Sequence, residues 1–303
     1  MSNEIVWGVD LGGTKIEAVV ATLEPFNVID RERIDTEQKK GYDHILNRIK
    51  LLIENVEKKT NLHSDIIGIG TPGSINPRNG LLRNSNTVCL NGKPLKEDLE
   101  KKLGKKIVIG NDANCLTLAE VKVGIVPKDY PNIKTAFGII MGTGVGGGLF
   151  VNGKIIDGHM GIAGEWGHNF LDESGGECYC KKIGCVERII SGAGLERFYE
   201  RKAGTHKTLR EIYSLYKEKD PLATETIERL LYFFGKALAG VINIFDPDIV
   251  ILGGGVGNIS ELTTIGHKHC ESFVFNPFFD TPVVRPLLGD SSGVFGAALL
   301  SKH

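Results

Sequence analysis

The sequence predicts an α/β protein built from two related α/β halves. Short apolar, β-branched runs alternate with longer segments of helical spacing. A strand–glycine turn–strand unit at 5–22 recurs at 136–151. The 303 residues also exceed what one compact core usually holds. Spacing alone leaves a single larger mixed α/β domain open as the alternative.

Three strands are expected within the first 35 residues: IVWGVD, KIEAVVATL and the alternating VIDRERID. GYDHILNRIKLLIENVEKKT has helical spacing, with apolar residues at 45, 49, 52, 53 and 56. DIIGIGTPG is a strand running into a turn. LKEDLEKKLG is a short helix stopped by Gly104, KIVIGNDAN a strand, and ANCLTLAEVKVG a helix. The series restarts near 135 with TAFGIIM, GGLFVNG and KIIDG as short strands. The pattern is helical from 186 to about 245, and its longest segment begins near Pro221, where proline is tolerated. DIVILGGG and VVRPLL are strands, and GVFGAALLSKH is a terminal helix.

With 36 basic and 37 acidic residues, no basic surplus draws the chain to nucleic acid or anionic membrane. No apolar run approaches the roughly 20 residues that span a bilayer. MSNEIVWGVD lacks the basic-then-apolar order of a signal peptide. The cytosol is the expected compartment. The longest helical segment is apolar enough to support a homodimer, and a buried core helix explains it equally well.

DLGGTK (10–15), MGTGVGGG (141–148) and LGGGVG (252–257) each follow an apolar strand. Successive backbone N–H groups in such turns can surround phosphate oxygens, and Thr14, Thr143 and Lys15 add donors and charge. One such turn is weak evidence, because tight hairpins use glycine and bind nothing. The P-loop pattern is absent. Gly142, Gly144 and Gly147 satisfy the dinucleotide fingerprint, but a strand follows where that motif needs a helix.

GNDAN (110–114) ends a strand and opens a helix. A carboxylate there can accept a hydroxyl proton during phosphoryl transfer to an alcohol. Taken alone, Asn111 and Asp112 are as well explained as helix caps. Glu165, His168 and Glu187 suit sugar hydroxyls, which donate and accept, although loop charges usually only meet solvent. Cys178, Cys180 and Cys185 crowd together in CYCKKIGC. With His168 they make a closed zinc shell, a structural metal and not one that activates water. The plain alternative is three reduced thiols in a core, but Lys181 and Lys182 make the stretch too polar for that.

These motifs together, DLGGTK, GNDAN, MGTGVGGG, GEWGH, CxC…GCxE and the late GGG, resemble the ROK family (repressor, open reading frame, kinase), from residue 4 to the end. The resemblance implies the actin–hexokinase (ribonuclease H-like) fold, with two α/β lobes closing on ATP and a hexose. The implied lobes are 1–113 with 290–303, and 114–289, which carries the zinc loop. It implies Asp112 as catalytic base, with Asn111, Asp112, Glu165, His168 and Glu187 on the hexose. His168 would hold zinc through one nitrogen and face the sugar with the other. Asp10 would position magnesium. Gly12, Gly13, Thr14 and Lys15, with Gly142, Thr143 and Gly144, would hold the phosphates, and Gly254 and Gly255 would lie near the nucleoside. Ser74, Asn86 and Thr87 lie in the stretch expected to shape the sugar pocket.

The family usually has glycine after the second cysteine of the cluster, and here that residue is Lys181. Within the family, 71–95, AGEWGHN and GDSSGVFGAA resemble bacterial manno(fructo)kinases, so the expected reaction is transfer of the ATP γ-phosphoryl group to the 6-hydroxyl of fructose, with mannose as a second substrate. N-acetylglucosamine kinases and glucokinases share most of the framework. The family also contains sugar-responsive repressors with an N-terminal helix-turn-helix. Only Met1 to Asn3 precede the first strand here, which is too short for one. A non-catalytic sugar sensor is the remaining alternative from another class, and an intact Asp112 with intact glycine turns argues against it.

Overall fold

The computed structural model describes residues 4–302. Met1–Asn3, on which the argument against a helix-turn-helix rests, and His303 lie outside the described residues. In chain order the strands are β1 (Ile5–Leu11), β2 (Lys15–Thr22), β3 (Asn27–Asp35), β4 (Ile66–Thr71), β5 (Ser74–Ile75), β6 (Leu82–Arg83), β7 (Lys106–Asn111), β8 (Thr135–Met141), β9 (Val145–Val151), β10 (Lys154–Ile155), β11 (Ile249–Gly253) and β12 (Val283–Val284). The helices are α1 (Tyr42–Thr60), α2 (Leu95–Leu103), α3 (Asp112–Lys122), α4 (Ile125–Asp129), α5 (Val186–Ile190), α6 (Gly192–Ala203), α7 (Leu209–Lys217), α8 (Pro221–Phe245), α9 (Gly254–Gly257), α10 (Ile265–Glu271) and α11 (Ser292–Leu300).

The chain forms two compact units. The first comprises residues up to Asn132, Gly148–Ala163 and everything from Leu287; the second comprises Ile133–Gly147 and Gly164–Pro286. The boundary expected at 113/114 lies within the first turn of α3. The division falls further on because α3 packs along α11 and stays with the first unit.

In the first unit a five-stranded sheet runs in the order β3-β2-β1-β4-β7. β1 and β2 form an antiparallel hairpin, and β1, β4 and β7 run parallel. Alternation along β1 sets the two faces. Trp7, Val9 and Leu11 join the core under α1 and α2, with Ile45, Ile49, Leu52, Ile53 and Val56 of α1. Val6 turns to the opposite face and meets Val294 and Ala298 of α11. Glycines let α11 lie directly on that face. A Cβ on Gly8 would stand 2.3 Å from the Ala298 nitrogen, and one on Gly68 1.8 Å from the Ala297 carbonyl oxygen. Asp10 continues the series 6, 8, 10 and therefore points to the α11 side, where a Cβ on Gly293 would stand 2.9 Å from its Oδ2.

Buried Glu120 of α3 anchors the chain that leads into α11. Its carboxylate accepts from the backbone N–H groups of Leu287 and Leu288 at 2.9 Å, of Ile125 at 3.0 Å, and from the Ser292 hydroxyl at 2.8 Å. Charge-assisted bonds of this kind repay burying the carboxylate.

In the second unit β11 pairs in parallel with β8 and β12. β12 is only two residues long, shorter than VVRPLL suggests, because Pro286 has no N–H to extend a ladder. The 25-residue α8 opens with Pro221 at its first position and Asp220 as cap, accepting from the Ala223 N–H at 2.8 Å. Its apolar face is buried, and α5, α6, α7 and α10 pack around it. The helix is thus accounted for within the chain's own core. Among the described residues no helix is long and apolar enough to cross a membrane.

Candidate active site

Parallel pairing gathers the polar residues of the first unit. Asp10 stands opposite Gly70, Gly70 opposite Gly110, and Thr71 opposite Asn111. The carboxyl ends of three adjacent strands therefore present Asp10, Thr71, Asn111 and Asp112 along one edge, the usual location for ligands in open α/β sheets. Asn111 caps α3: its Oδ1 accepts from the Ala113 N–H at 2.9 Å, and its Nδ2 donates to the Gly73 carbonyl at 3.0 Å. Asp112 is the first residue of the helix, and its Oδ1 accepts from Ala113 N–H at 2.8 Å. The capping alternative is thus fulfilled by Asn111, while Asp112 also sits at the positive end of an 11-residue helix.

Asp10 and Asp112 share this edge. Burial, then the charges of Asp112 and Glu17, raise the Asp10 pKa to about 7, and Arg33 opposes them. Glu17, opposite Asp10 in the hairpin, is held by Arg31 and by Arg33 at 2.6 Å. Burial and the nearby charges of Asp10, Asp112 and Asp157 push the Cys115 thiol up, so these carboxylates surround one buried sulfur. An acid whose pKa rises on folding favours the fold while protonated. The folded state then holds more protons between about 4 and about 7, so stability falls across that window as pH rises and levels off above it. Asp10→Asn removes that penalty. It is expected to raise the melting temperature at pH 8 and to leave it near wild type at pH 4.5. A variant less stable than wild type at pH 8 would contradict the assignment.

The DLGGTK turn closes with Gly12 N–H donating to the Lys15 carbonyl at 3.0 Å. Thr36 braces it, its N–H bonding the Thr14 carbonyl and its hydroxyl the Gly12 carbonyl at 2.7 Å. Thr14 and Lys15 remain exposed. The buried hydroxyl oxygens of Ser74 and Thr87 have no hydrogen-bond partner. Thr87 Oγ1 lies 3.5 Å from where a Cβ on Gly13 would be, while Asn86 is exposed. The Thr87 hydroxyl, beside the Gly13 turn, is a polar group that a ligand could satisfy.

The second unit brings together the other two glycine turns. Gly142 N–H bonds the Gly144 carbonyl at 2.9 Å, and Thr143 is exposed at the tip. Gly254 (φ +82°) packs so tightly on β8 that a Cβ would stand 2.3 Å from the Met141 carbonyl oxygen. LGGGVG departs from expectation: Gly254–Gly257 form a short helix, whereas DLGGTK and MGTGVGGG are followed by strands. Gly254 and Gly255 stay exposed at its start. Glu187 is tied to the middle turn, its Oε2 accepting from Val145 N–H at 2.9 Å. A Cβ on Gly144 would stand 2.6 Å from that oxygen, so a side chain there would displace the Glu187 carboxylate.

His168, Cys178, Cys180 and Cys185 converge as the sequence suggested, with one donor atom from each lying within 4.8 Å of the others. His168 Nδ1 is 3.8 Å from Cys178 Sγ, and Cys180 Sγ is 3.5 Å from Cys185 Sγ. Three sulfurs and one imidazole nitrogen in one cluster fit zinc. Lys181, where the family usually has glycine, adopts φ +67°, and the turn is kept: Lys181 N–H bonds the Cys178 carbonyl at 2.9 Å.

Tyr179 was not singled out from the sequence. Its hydroxyl lies 2.9 Å from His168 Nε2, and the rings meet edge-on at 5.2 Å. The nitrogen expected to face the sugar is therefore already engaged. Burial around the hydroxyl, then the charges of Glu187 and Glu165, push its pKa up, so it stays protonated at neutral pH. Tyr179 thus shares the surroundings of the expected sugar ligands, although the residue as a whole is 70% exposed. A lone tyrosine between two cysteines carries no pattern that would have announced this.

The ROK family model matches residues 6–303. The chain is 34% identical to an N-acetyl-D-glucosamine kinase of Pectobacterium atrosepticum, covering 97% of this chain and 98% of that protein. Among solved structures it is similar to a ROK hexokinase from Thermus thermophilus, with TM-score 0.87, 30% identity, and 98% and 97% of the two chains covered. A ROK family glucokinase from Streptomyces griseus in complex with glucose and AMPPNP gives TM-score 0.80 and 26% identity, with 99% of each chain covered. The fold is that of the sugar-kinase class of actin–hexokinase proteins. The chain is a member of the ROK family. The curated relatives matched at 33–34% identity along nearly the whole chain are N-acetylglucosamine kinases, so they lend the narrower expectation of fructose no support.

Proposed function

We propose that the protein is an ATP-dependent kinase that phosphorylates the 6-hydroxyl of a hexose, with N-acetylglucosamine the first candidate. The observation that carries the reading is the pair Asp10 and Asp112 on one strand edge, beside the DLGGTK turn. Kinship to sugar kinases along nearly the whole chain supports it. In this reading the Asp112 carboxylate takes the proton of the 6-hydroxyl. The sugar oxygen attacks the γ-phosphorus in line, the bond from the γ-phosphorus to the bridging oxygen breaks, and ADP departs. Asn111 fixes the base through the α3 cap and Gly73. Glycine-turn amides and Lys15 take phosphate oxygens.

Two partly buried carboxylates, one raised to about 7, suit a nearby cation. Asp10 would hold a magnesium ion, which when bound neutralises phosphate charge. In the second unit Glu165 and Glu187 take sugar hydroxyls, and His168, whose Nε2 is engaged by Tyr179, reaches the sugar only through that hydroxyl. His168 and the three cysteines would hold zinc, which fixes the loop that carries them. Tyr179 joins this group, its hydroxyl accepting a hydrogen bond from His168 Nε2–H and donating one to a sugar hydroxyl.

A coupled ADP-release assay across N-acetylglucosamine, N-acetylmannosamine, glucose, mannose and fructose tests the reading. Sugar-dependent ADP release, strongest with N-acetylglucosamine, is expected. Strongest release with fructose would restore the narrower expectation from 71–95, and release independent of every sugar would contradict the reading. In the same assay Tyr179→Phe is expected to raise KM for the best sugar about tenfold, the loss of one hydrogen bond of about 1.4 kcal/mol, with kcat changed little. An unaltered KM would remove Tyr179 from the sugar contacts.

A further inference from the structure

We infer that the second unit carries a separate binding site for a small phosphate-bearing anion, in a cavity walled by Arg188, Arg197, Arg201 and Arg229. The cavity has a volume of about 390 Å³, within the range that holds small molecules. Its arginines come from α5, α6 and α8. Arg197 and Arg201 stand four residues apart on α6 and so share a face, where like charges repel.

The four cations lack anionic partners. Among the described residues none of them forms an ion pair. The carboxylate on the wall, Glu200, is engaged 3.4 Å from His206. Burial, then the charge of Arg188, lowers the Arg197 pKa; burial lowers that of Arg229, with Arg201 acting in the same direction. Asp172 and Glu225 favour the charge on Arg229, and Glu187 and Glu196 that on Arg197, only through space. Arginine stays charged regardless, so the cavity keeps its positive field.

Three of the guanidinium groups are also held in place. Arg229 lies over Phe198 and Phe233, with its carbon 4.8 and 4.5 Å from the ring centres, and donates to the Ser174 hydroxyl at 2.7 Å. Arg201 lies over the Phe198 ring at 5.8 Å, and Arg188 Nε donates to the Gly175 carbonyl at 3.4 Å. These anchors use few of the five N–H donors each arginine has. Oriented forks with spare donors match phosphate oxygens, and several positive charges favour a dianion over a carboxylate. The volume suits a small molecule. None of the four arginines belongs to the residues assigned above to nucleotide, sugar or metal.

Calorimetric titration of the full chain with inorganic phosphate, and separately with a hexose 6-phosphate, tests the site. Saturable binding of at least one of them is expected at low salt, weakened at least tenfold in Arg197→Gln/Arg201→Gln and undiminished in Asp112→Asn. Both replaced arginines are exposed, so the double variant is expected to melt within a few degrees of wild type. Arg197→Lys/Arg201→Lys, which keeps the charge, is expected to retain part of the affinity. Binding of free phosphate assigns the cavity to phosphate itself, and binding of the ester alone assigns it to a sugar phosphate. Binding of neither, or equal affinity in the wild type and the glutamine variant, would overturn the site.

Discussion

Asp112→Asn is expected to lower kcat by about 10²–10⁴, the usual contribution of a positioned general base. Asparagine keeps the size of the side chain and can still accept from the Ala113 N–H, so α3 and the Asn111 cap should persist. What it loses is the ability to take a proton. Sugar KM is expected to stay within a few-fold, because shape and hydrogen bonding at the strand edge change little. The substitution also removes the charge of Asp112, which helps raise the Asp10 pKa, so Asp10 should ionise at lower pH in the variant. A pH titration of the variant separates a missing base from a disturbed neighbour. Turnover near the wild-type value would show that the proton goes elsewhere.

Cys185→Ser carries the other large expected effect. Cys185 is fully buried and sits two residues before Glu187, on the chain that runs from the metal cluster into α5. Burial and the neighbouring thiols push its pKa up to about 12, whereas ligation to zinc needs the thiolate. Metal binding is therefore expected to release protons. Elemental analysis of wild-type protein purified without added metal should find about one zinc per chain, and the variant far less. Losing the metal frees His168 and loosens the start of the helix that carries Glu187, so kcat/KM for the sugar should fall by at least 10-fold to 100-fold. A variant with unchanged activity, or an active wild type without zinc, would reject the ligand set.

Much of the first unit could be read from pattern alone. Alternation in IVWGVD separates Trp7 and Val9 from Val6 and Asp10, and the glycines at 8 and 68 foretell a close-packed neighbour, although not that α11 supplies it. The cysteine cluster was legible because its spacing is short and its chemistry narrow. Other features depend on tertiary contact. Gly254–Gly257 become helical despite poor propensity, where β11 ends against Met141. The anchoring of Glu120 spans more than 160 residues of sequence, and no local signal marks it. The meeting of Tyr179 with His168 depends on a side-chain rotamer. The arginine-walled cavity draws on positions from 188 to 229 that read singly as solvated helix charges.

The most direct measurement follows phosphorus and sugar carbon by NMR in one reaction with ATP, magnesium and the best hexose. The account expects hexose 6-phosphate and ADP to appear in equal amounts with wild-type protein, and almost no product over the same period with Asp112→Asn. Phosphate found on another hydroxyl, inorganic phosphate released in place of the ester, or undiminished product from the variant would contradict it.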